Sequence, residues 1–187
     1  MIGNDIVDLA LAAKQSNWRR KGWLQKIFTV SEQDKILNAL DPDLTVWKLW
    51  SMKEAAYKAY QRQFFKAPTY NPWDFECSET SVIVKGMQYK TKTTITSEYI
   101  HSVAFIDQKE IVTKVFVNES LSYKKHLLDY ISKTKLLNSE KITIKKNDFR
   151  IPFVYINNLQ SDIQVSFSSH GLFSSYVVDL SENLQRV

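Results

Sequence analysis

The sequence predicts an α+β protein built from two related α+β modules. Helical patterns fill the first third of the chain and end in a long helix near residue 64. From residue 75 onward, alternating and β-branched residues predict strands. One amphipathic helix, at residues 120–137, interrupts them. Residues 94–105 and 166–177 share a pattern of small and apolar residues, a serine, a polar residue and an apolar strand. The two could be ordinary strands of similar type, but a true repeat would predict two related modules.

The composition is that of a globular protein of one domain or two small fused modules. The chain has 187 residues, of which 44% are hydrophobic and 13% aromatic, enough to bury a core. No apolar run has the length of a membrane span, and residues 1–5 show no signal-peptide pattern. A single cysteine, Cys77, excludes an internal disulfide and a cysteine-based zinc site. We therefore expect a cytoplasmic protein without membrane contact.

The net charge of +5 favours polyanionic partners such as nucleic acid, phosphorylated cofactors or acidic proteins. Alternatively, this modest charge only aids solubility. The chain has no zinc knuckle, no aromatic motif of an RNA-recognition domain and no long basic run, so nucleic-acid binding has little support.

The first residues predict a short strand that runs into a helix. Asp5 lies among apolar residues, where a carboxylate is costly unless it is paired or bound to a metal. A turn or a helix cap is the simpler explanation for Asp5. Asp8 is predicted to cap the helix that begins at Leu9.

Two further helices are predicted before the long one. Residues 14–28 combine basic residues with two tryptophans and predict an amphipathic helix. Thr29 and Glu32 have the spacing of a capping box for the next helix, and this role explains both residues.

The long helix carries the candidate chemistry. Residues 47–64 contain no Gly or Pro, and residues 41–43 are suited to start the helix. Glu54 and Lys58 lie one turn apart on a stripe with aromatic residues. The simplest explanation is an exposed ion pair worth a few tenths of a kcal/mol. The aromatic neighbours instead favour partial burial, which would suit a divalent cation on the carboxylate and a phosphate on the ammonium.

The remainder of the chain predicts strands with a hairpin turn at residues 107–109. The predicted strands cover residues 82–84, 89–96, 100–106, 111–117, 141–145, 152–156, 163–168 and 173–180. His170 follows a strand and begins a turn; a lone histidine in such a place usually has no function.

Several short elements resemble the signatures of one family, the 4′-phosphopantetheinyl transferases. In chain order they are Gly3–Asp8 (G-x-D-I-x-[DE]), Phe28–Glu32 (F-[ST]-x-x-E), Trp50–Lys58 (W-x-x-K-E-A-x-x-K), Asn147–Pro152 (n-x-G-K-P) and Ser169–His170 (the end of x-S-x-S-H). The chain departs from the family where Phe149 and Arg150 replace Gly and Lys, and where glycines are absent after Lys58.

The resemblance implies transfer of 4′-phosphopantetheine from coenzyme A to a carrier-protein serine, leaving adenosine 3′,5′-bisphosphate. This is the activity of a holo-[acyl-carrier-protein] synthase. Asp5 and Glu54 would bind Mg²⁺, and Lys58, together with Lys53, would stabilise charge on the phosphates. The base that takes the serine proton would be Glu54 or a metal-bound water.

Coenzyme A binding would involve the later elements. By resemblance, Ser169 contacts the phosphates of coenzyme A, and Arg150 and His170 hold its 3′-phosphate. The basic residues 14–28 would form either a solvated helix face or a docking surface for an acidic acyl or peptidyl carrier protein. Fatty-acid, polyketide and peptide synthesis remain open as the pathway.

The order of the elements resembles a fused two-module form, a pseudo-dimer, with the modules in swapped order. Residues 1–117 would supply the metal and catalytic groups, residues 118–187 the Ser-His element, and the site would lie between them in a monomer. Ser97 and Glu98 would be the degenerate counterpart of Ser169 and His170. Two alternatives remain: a catalytically weak relative that only binds coenzyme A or a carrier protein, and a basic nucleic-acid-binding protein.

Overall fold

The computed structural model describes residues 1–107, 110–118 and 122–181. Its helices are α1 (Leu9–Gln15), α2 (Trp23–Ile27), α3 (Val30–Leu37), α4 (Pro42–Phe64) and α5 (Ser122–Lys135). Its strands are β1 (Ile2–Asp8), β2 (Phe75–Cys77), β3 (Ser81–Val84), β4 (Met87–Ile95), β5 (Tyr99–Phe105), β6 (Ile111–Val117), β7 (Ile142–Lys146), β8 (Pro152–Ile156), β9 (Leu159–His170) and β10 (Phe173–Asp179).

The ten strands form two antiparallel sheets with the same topology. The first has the order β1-β5-β4-β3-β2 and the second the order β6-β10-β9-β8-β7. In each sheet the first strand pairs with the last, and a long helix, α4 or α5, lies between the first and second strands in sequence. The predicted repeat falls on equivalent hairpins, β4-β5 and β9-β10. The predicted fold class, two related α+β modules, is confirmed.

The boundary between the two sheets differs from the predicted one. The prediction placed residues 111–117 in the first module, whereas β6, over these residues, pairs with β10 of the second sheet. The sheets therefore divide between Phe105 and Ile111. A β-branched strand has the same pattern in either sheet, and only its pairing decides where it belongs. The use of the two segments as separate functional units stays a prediction. Two residues of the predicted hairpin turn, 108 and 109, lie outside the described residues.

Local sequence signals place most helix ends correctly. The side chain of Asp8 accepts from Leu11 N at the start of α1, and the side chain of Asp41 accepts from Leu44 N at the start of α4. Thr29 and Glu32 form the predicted capping box of α3. For α5, the predicted start at residues 120 and 121 lies outside the described residues.

The predicted helix at residues 14–28 is wrong. Helix α1 ends at Gln15, and α2 covers only Trp23–Ile27. Between them Gly22 has a φ of 81°, a left-handed conformation that favours glycine and interrupts the helix. Trp18 Nε1 also donates to Asp43 Oδ1 (2.7 Å), which ties this connection to α4.

Helix α4 packs closely on the first sheet. A Cβ atom at Gly3 of β1 would lie 2.2 Å from Ala55 O and 2.6 Å from Ala59 N. Ala55 and Ala59 are fully buried on α4. Small residues on both elements thus allow the strand to touch the helix backbone. The second sheet has a core of its own around α5, where Leu127 and Ile131 are fully buried.

The two modules meet where β1 lies against β9. Strand β1 is an edge strand of its sheet. The N–H groups of Asn4, Ile6 and Asp8 donate to side chains of β9. Their respective acceptors are Ser166 Oγ (3.2 Å), Ser168 Oγ (3.2 Å) and His170 Nδ1 (2.9 Å). Alternate residues of a strand share a face, so the Ser-x-Ser-x-His spacing of β9 matches the spacing of the free N–H groups.

Among the described residues, no helix has the length and apolar character needed to cross a membrane.

Candidate active site

The candidate site lies at the junction of β1, α4 and β9. Lys58 Nζ is 3.2 Å from Asp5 Oδ1 and donates to Asn4 O at 2.8 Å. Ser168 Oγ donates to the same Asp5 oxygen at 3.0 Å, and Lys58 Nζ lies 3.3 Å from that hydroxyl. The side chain of Asp5 is 11% exposed and that of Lys58 is 28% exposed. A carboxylate, an ammonium and a hydroxyl from both modules thus form one half-buried cluster.

Glu54 lies one turn before Lys58 on α4. Within the described residues, the ion pair of Lys58 is with Asp5, and the simple i,i+4 pair between Glu54 and Lys58 does not form. The pKa of Glu54 is raised to about 7, chiefly by burial and also by the charge of Asp5, against the lowering effect of Lys58. Two partly buried carboxylates that repel each other are stabilised by a cation between them.

Asp5 and Glu54 are the candidate metal ligands at this junction. In residues 1–107, 110–118 and 122–181, no group of three or more His, Cys, Asp or Glu side chains could hold a metal ion. Asp5 and Glu54 line a common cavity and make a set of two. Mg²⁺ keeps several waters and binds through one or two carboxylates plus substrate phosphates, so the pair fits Mg²⁺ but not a metal held by protein ligands alone.

One cavity, here called the carboxylate cavity, opens beside this pair. It has a volume of about 400 Å³. It is lined by Asp5, Ile6, Val7, Ala12, Ser16, Trp23, Ile27, Trp47, Trp50, Glu54, Ser169 and His170. The structure therefore brings Ser169 and His170, from the end of the chain, to the two predicted metal ligands.

The position of His170 is fixed by Asp8. His170 Nδ1 accepts from Asp8 N, so the proton of a neutral ring is on Nε2. The carboxylate of Asp8 accepts from Leu11 N and Leu172 N, both at 3.0 Å. Burial raises the pKa of Asp8, but these hydrogen bonds and the neighbouring His170 lower it below the usual value. Asp8 thus holds the turn after β9 in place as a charged group.

A second cavity, here called the cationic cavity, lies on the other side of Lys58. It has a volume of about 240 Å³. It is lined by Tyr57, Lys58, Gln61, Arg62, Pro68, Lys146, Phe149, Arg150, Ile151, Pro152, Ser166 and Phe167. Arg150 and His170, which were predicted to hold the same phosphate, line different cavities. Their shared contact with the 3′-phosphate stays a prediction.

Lys53 does not face either cavity. Its side chain is fully buried, with Nζ 2.7 Å from Glu32 Oε2. Nζ also donates to Ile27 O (3.2 Å) and Pro72 O (3.0 Å). The prediction that Lys53 binds coenzyme A is therefore wrong. Lys53 and Lys58 are five positions apart on α4, so the two side chains leave different faces of the helix.

The buried Lys53–Glu32 pair explains the Phe28–Glu32 element. Glu32 is fully buried on α3. Its Oε1 accepts from Cys77 N (2.7 Å), and its Oε2 accepts from Thr29 N (2.9 Å). One carboxylate thus links α3, α4 and β2, which supports the structural role predicted for this element.

Several residues that sequence reasoning missed support the cluster. Asn4 Nδ2 donates to Ser175 Oγ (2.8 Å) and lies 3.4 Å from His101 Nε2. His101 is 3% exposed, and burial lowers its pKa to about 4 against the opposing effect of Asp5. The alternation of Ser166, Ser168 and His170 was a readable signal. No local signal pointed to Asn4 or His101.

The comparison with curated proteins finds no match. Among solved structures, the chain is similar to the crystal structure of Helicobacter pylori holo-[acyl-carrier-protein] synthase in complex with coenzyme A. The two are 17% identical, the match covers 97% of this chain and 100% of that one, and the TM-score is 0.29. A model of the 4′-phosphopantetheinyl transferase superfamily matches residues 1–115, more than half of the chain. The chain therefore belongs to the 4′-phosphopantetheinyl transferase superfamily.

Proposed function

We propose that this protein is a holo-[acyl-carrier-protein] synthase, which transfers 4′-phosphopantetheine from coenzyme A to a carrier-protein serine. The observation that carries the proposal is the meeting of Asp5, Glu54 and Lys58 with Ser168 and His170 at one junction. The serine oxygen forms a bond to the phosphorus that bears pantetheine. The bond from this phosphorus to the bridging oxygen breaks, and adenosine 3′,5′-bisphosphate leaves.

The carboxylate cavity would hold the pyrophosphate of coenzyme A. Asp5 and Glu54 would hold Mg²⁺ there, and the cation, when bound, would neutralise negative charge on the pyrophosphate. The raised pKa of Glu54 supports this proposal, since burial and the charge of Asp5 both disfavour the ionised carboxylate and a bound cation would offset both effects.

Lys58 would stabilise the charge that develops on the leaving phosphate. Its ammonium is held by Asn4 O, Asp5 and Ser168, so it is oriented before the substrate arrives. Such preorganised charge is the main contribution of proteins to phosphoryl transfer.

The later elements would bind coenzyme A. Ser169 and His170 would contact the pyrophosphate, with the Nε2–H of His170 as a donor, because Asp8 N occupies Nδ1. Arg150 would contact a phosphate in the cationic cavity. The serine proton would move to a carboxylate oxygen of Glu54 or to a water held by the cation.

The partner would be an acidic acyl or peptidyl carrier protein. Lys14, Arg20, Lys21 and Lys26 are exposed around α1 and α2, close in sequence to residues that line the carboxylate cavity. Complementary charge would speed association with an acidic partner. We also propose that the protein is cytoplasmic and that it is a monomer. The monomer is proposed because one chain supplies both modules. Light scattering that gives an obligate trimer would contradict it.

The test is mass spectrometry of apo carrier proteins incubated with this protein, coenzyme A and Mg²⁺. The expected result is a mass gain of one phosphopantetheine group, lost when Mg²⁺ is chelated. The Glu54→Gln variant serves as the matched control. Unmodified carriers from fatty-acid, polyketide and peptide synthesis alike would refute the proposed function.

A further inference from the structure

Tyr70 carries a buried hydroxyl that has no hydrogen-bond partner within residues 1–107, 110–118 and 122–181. The residue follows α4 and packs against the core of the first sheet. The fully buried Tyr89 of the same core differs, because its hydroxyl donates to Gln63 Oε1 at 2.6 Å. A buried hydroxyl without a partner costs free energy, so its presence needs an explanation such as a functional role.

The ring of Tyr70 lies over Glu54 on α4. Its centroid is 6.1 Å from that of Trp50 and 4.6 Å from that of Tyr57. On a helix, positions 50, 54 and 57 fall on one stripe, with Glu54 between the two aromatic residues. A ring that contacts both neighbours therefore lies beside Glu54. Burial raises the pKa of Tyr70, and among the nearby charged groups Glu54 adds most to the rise, so the hydroxyl stays protonated and can donate.

Glu54 offers the acceptor that this hydroxyl lacks. Trp50 and Glu54 line the carboxylate cavity, whereas Tyr70 does not, although its ring contacts the same stripe of α4. Tyr70 thus reaches Glu54 from outside the cavity. A carboxylate has two oxygens, so one of them can face the cavity while the other accepts from a donor behind it.

We propose that Tyr70 is a positioning residue, whose hydroxyl donates to the carboxylate of Glu54 when Mg²⁺ and coenzyme A are bound. This inference rests on the proposed function, in which Glu54 holds the cation. Tyr70 itself contacts neither the cation nor the substrate. A hydrogen bond to a carboxylate that binds a metal fixes its orientation, and loss of such a bond typically costs about 10–100-fold in metal affinity.

The segment after Tyr70 holds its ring in place. Trp73 Nε1 donates to Gln25 O of α2 at 2.7 Å, and Trp73 N donates to Asn71 Oδ1 at 3.3 Å. The ring also packs against Phe75, with 5.6 Å between the centroids. Because the ring is fixed by its neighbours, the side chain that turns to form the hydrogen bond is that of Glu54.

A pure packing role needs the ring of Tyr70 but not its hydroxyl, and thermal unfolding in EDTA tests the hydroxyl alone. Tyr70→Phe keeps the ring, and Tyr89→Phe is the matched control because its hydroxyl has a partner. Tyr89→Phe should lower the melting temperature by about 2–4 °C, the effect of losing one ordinary hydrogen bond. Tyr70→Phe should leave the melting temperature unchanged or raise it, because an unpaired buried hydroxyl is removed. A fall as large as that of Tyr89→Phe would overturn the inference, since the hydroxyl would then be paired in the free protein.

The second measurement is calorimetric titration of coenzyme A over a series of Mg²⁺ concentrations. Tyr70→Phe should raise the Mg²⁺ concentration that gives half of the gain in affinity by about tenfold or more. In EDTA the affinity for coenzyme A should be the same in the wild type and in Tyr70→Phe, because the hydroxyl acts only through the carboxylate that binds the cation. Tyr89→Phe should match the wild type under both conditions.

A double-mutant cycle tests whether Tyr70 acts through Glu54. In a Glu54→Ala background the acceptor of the hydrogen bond is gone, so Tyr70→Phe should have no further effect on the binding of coenzyme A. An undiminished effect in that background would overturn the inference, because Tyr70 would then act on another group.

Failure of the proposed function would look different from failure of this inference. If Mg²⁺ adds nothing to the affinity of the wild type for coenzyme A, both fall together, because Glu54 then holds no cation. If Mg²⁺ strengthens binding in the wild type and equally in Tyr70→Phe, the proposed function stands and the role of Tyr70 is overturned.

Discussion

The roles of Lys53 and Lys58, two lysines of one helix motif, can be separated by mutation. Lys53→Met keeps the aliphatic length and removes the ammonium. Both members of the Lys53–Glu32 pair are fully buried, and their charged atoms are 2.7 Å apart. Removal of one partner leaves an uncompensated buried charge and costs about 3–5 kcal/mol. Ile27 O and Pro72 O lose a donor as well. This loss is a large fraction of the roughly 5–15 kcal/mol that stabilises a typical domain.

Lys58→Met is the matched control on the same helix. Its ammonium is partly exposed, so its loss should cost less, about 1–2 kcal/mol. Urea unfolding followed by tryptophan fluorescence measures both costs, and calorimetric titration at low temperature measures the affinity for coenzyme A. Lys53→Met should lose stability and bind coenzyme A as the wild type does. Lys58→Met should lose affinity and most of the activity.

A double-mutant cycle tests the pair itself. Glu32→Gln with Lys53→Met should be less destabilised than the sum of the single variants, because no buried charge then lacks a partner. Full stability of Lys53→Met together with weakened binding of coenzyme A would refute the reasoning. Lys53 would then face the ligand, as the sequence motif suggested.

Three further predictions test the site and its support. Gly3→Ala should destabilise the protein by about 1–3 kcal/mol or more in thermal unfolding, since its Cβ would lie 2.2 Å from Ala55 O. Gly86→Ala, where no heavy atom lies within 4 Å of the added Cβ, should cost only about 1 kcal/mol for its positive φ. The pKa of His101, about 4 when folded against 6.5 when unfolded, means that the unfolded chain binds more protons between these values. The contribution of His101 to the free energy of unfolding should therefore fall by about 3 kcal/mol as pH drops from 6.5 to 4. Glu54, whose pKa is raised to about 7, acts in the opposite direction over this range, so the effect of His101 is measured as the difference between the wild type and His101→Gln, and equal pH slopes would contradict this cause. Glu54→Gln should keep the melting temperature within a few degrees and abolish Mg²⁺-dependent transfer; near wild-type turnover would remove Glu54 from the mechanism.

The sequence by itself determined the elements whose signals are local. Asp41 caps the start of α4, and the fixed φ of Pro42 favours the first turn of the helix. No Gly or further Pro follows within α4, so the helix continues to Phe64. The Thr29–Glu32 capping box and the alternation in the strands likewise act within a few residues. The repeat between residues 94–105 and 166–177 predicted the shared topology of the two sheets. Asp5 and Glu54 stood out because a carboxylate among apolar or aromatic residues needs a partner, and their role as metal ligands was implied by the family resemblance.

Only the tertiary structure decided which partner each charged residue meets. Lys53 and Lys58 look alike in sequence, but Glu32 lies on one face of α4 and Asp5 on the other. Strand β6 could have joined either sheet, and nothing in the sequence around Arg62 indicated that this side chain would be buried. Caps and periodicity depend on neighbours within one or two turns. Burial, strand pairing and side-chain pairing also depend on residues far apart in the chain, such as Asp5 and Ser168, which are 163 positions apart and meet only when both modules have folded.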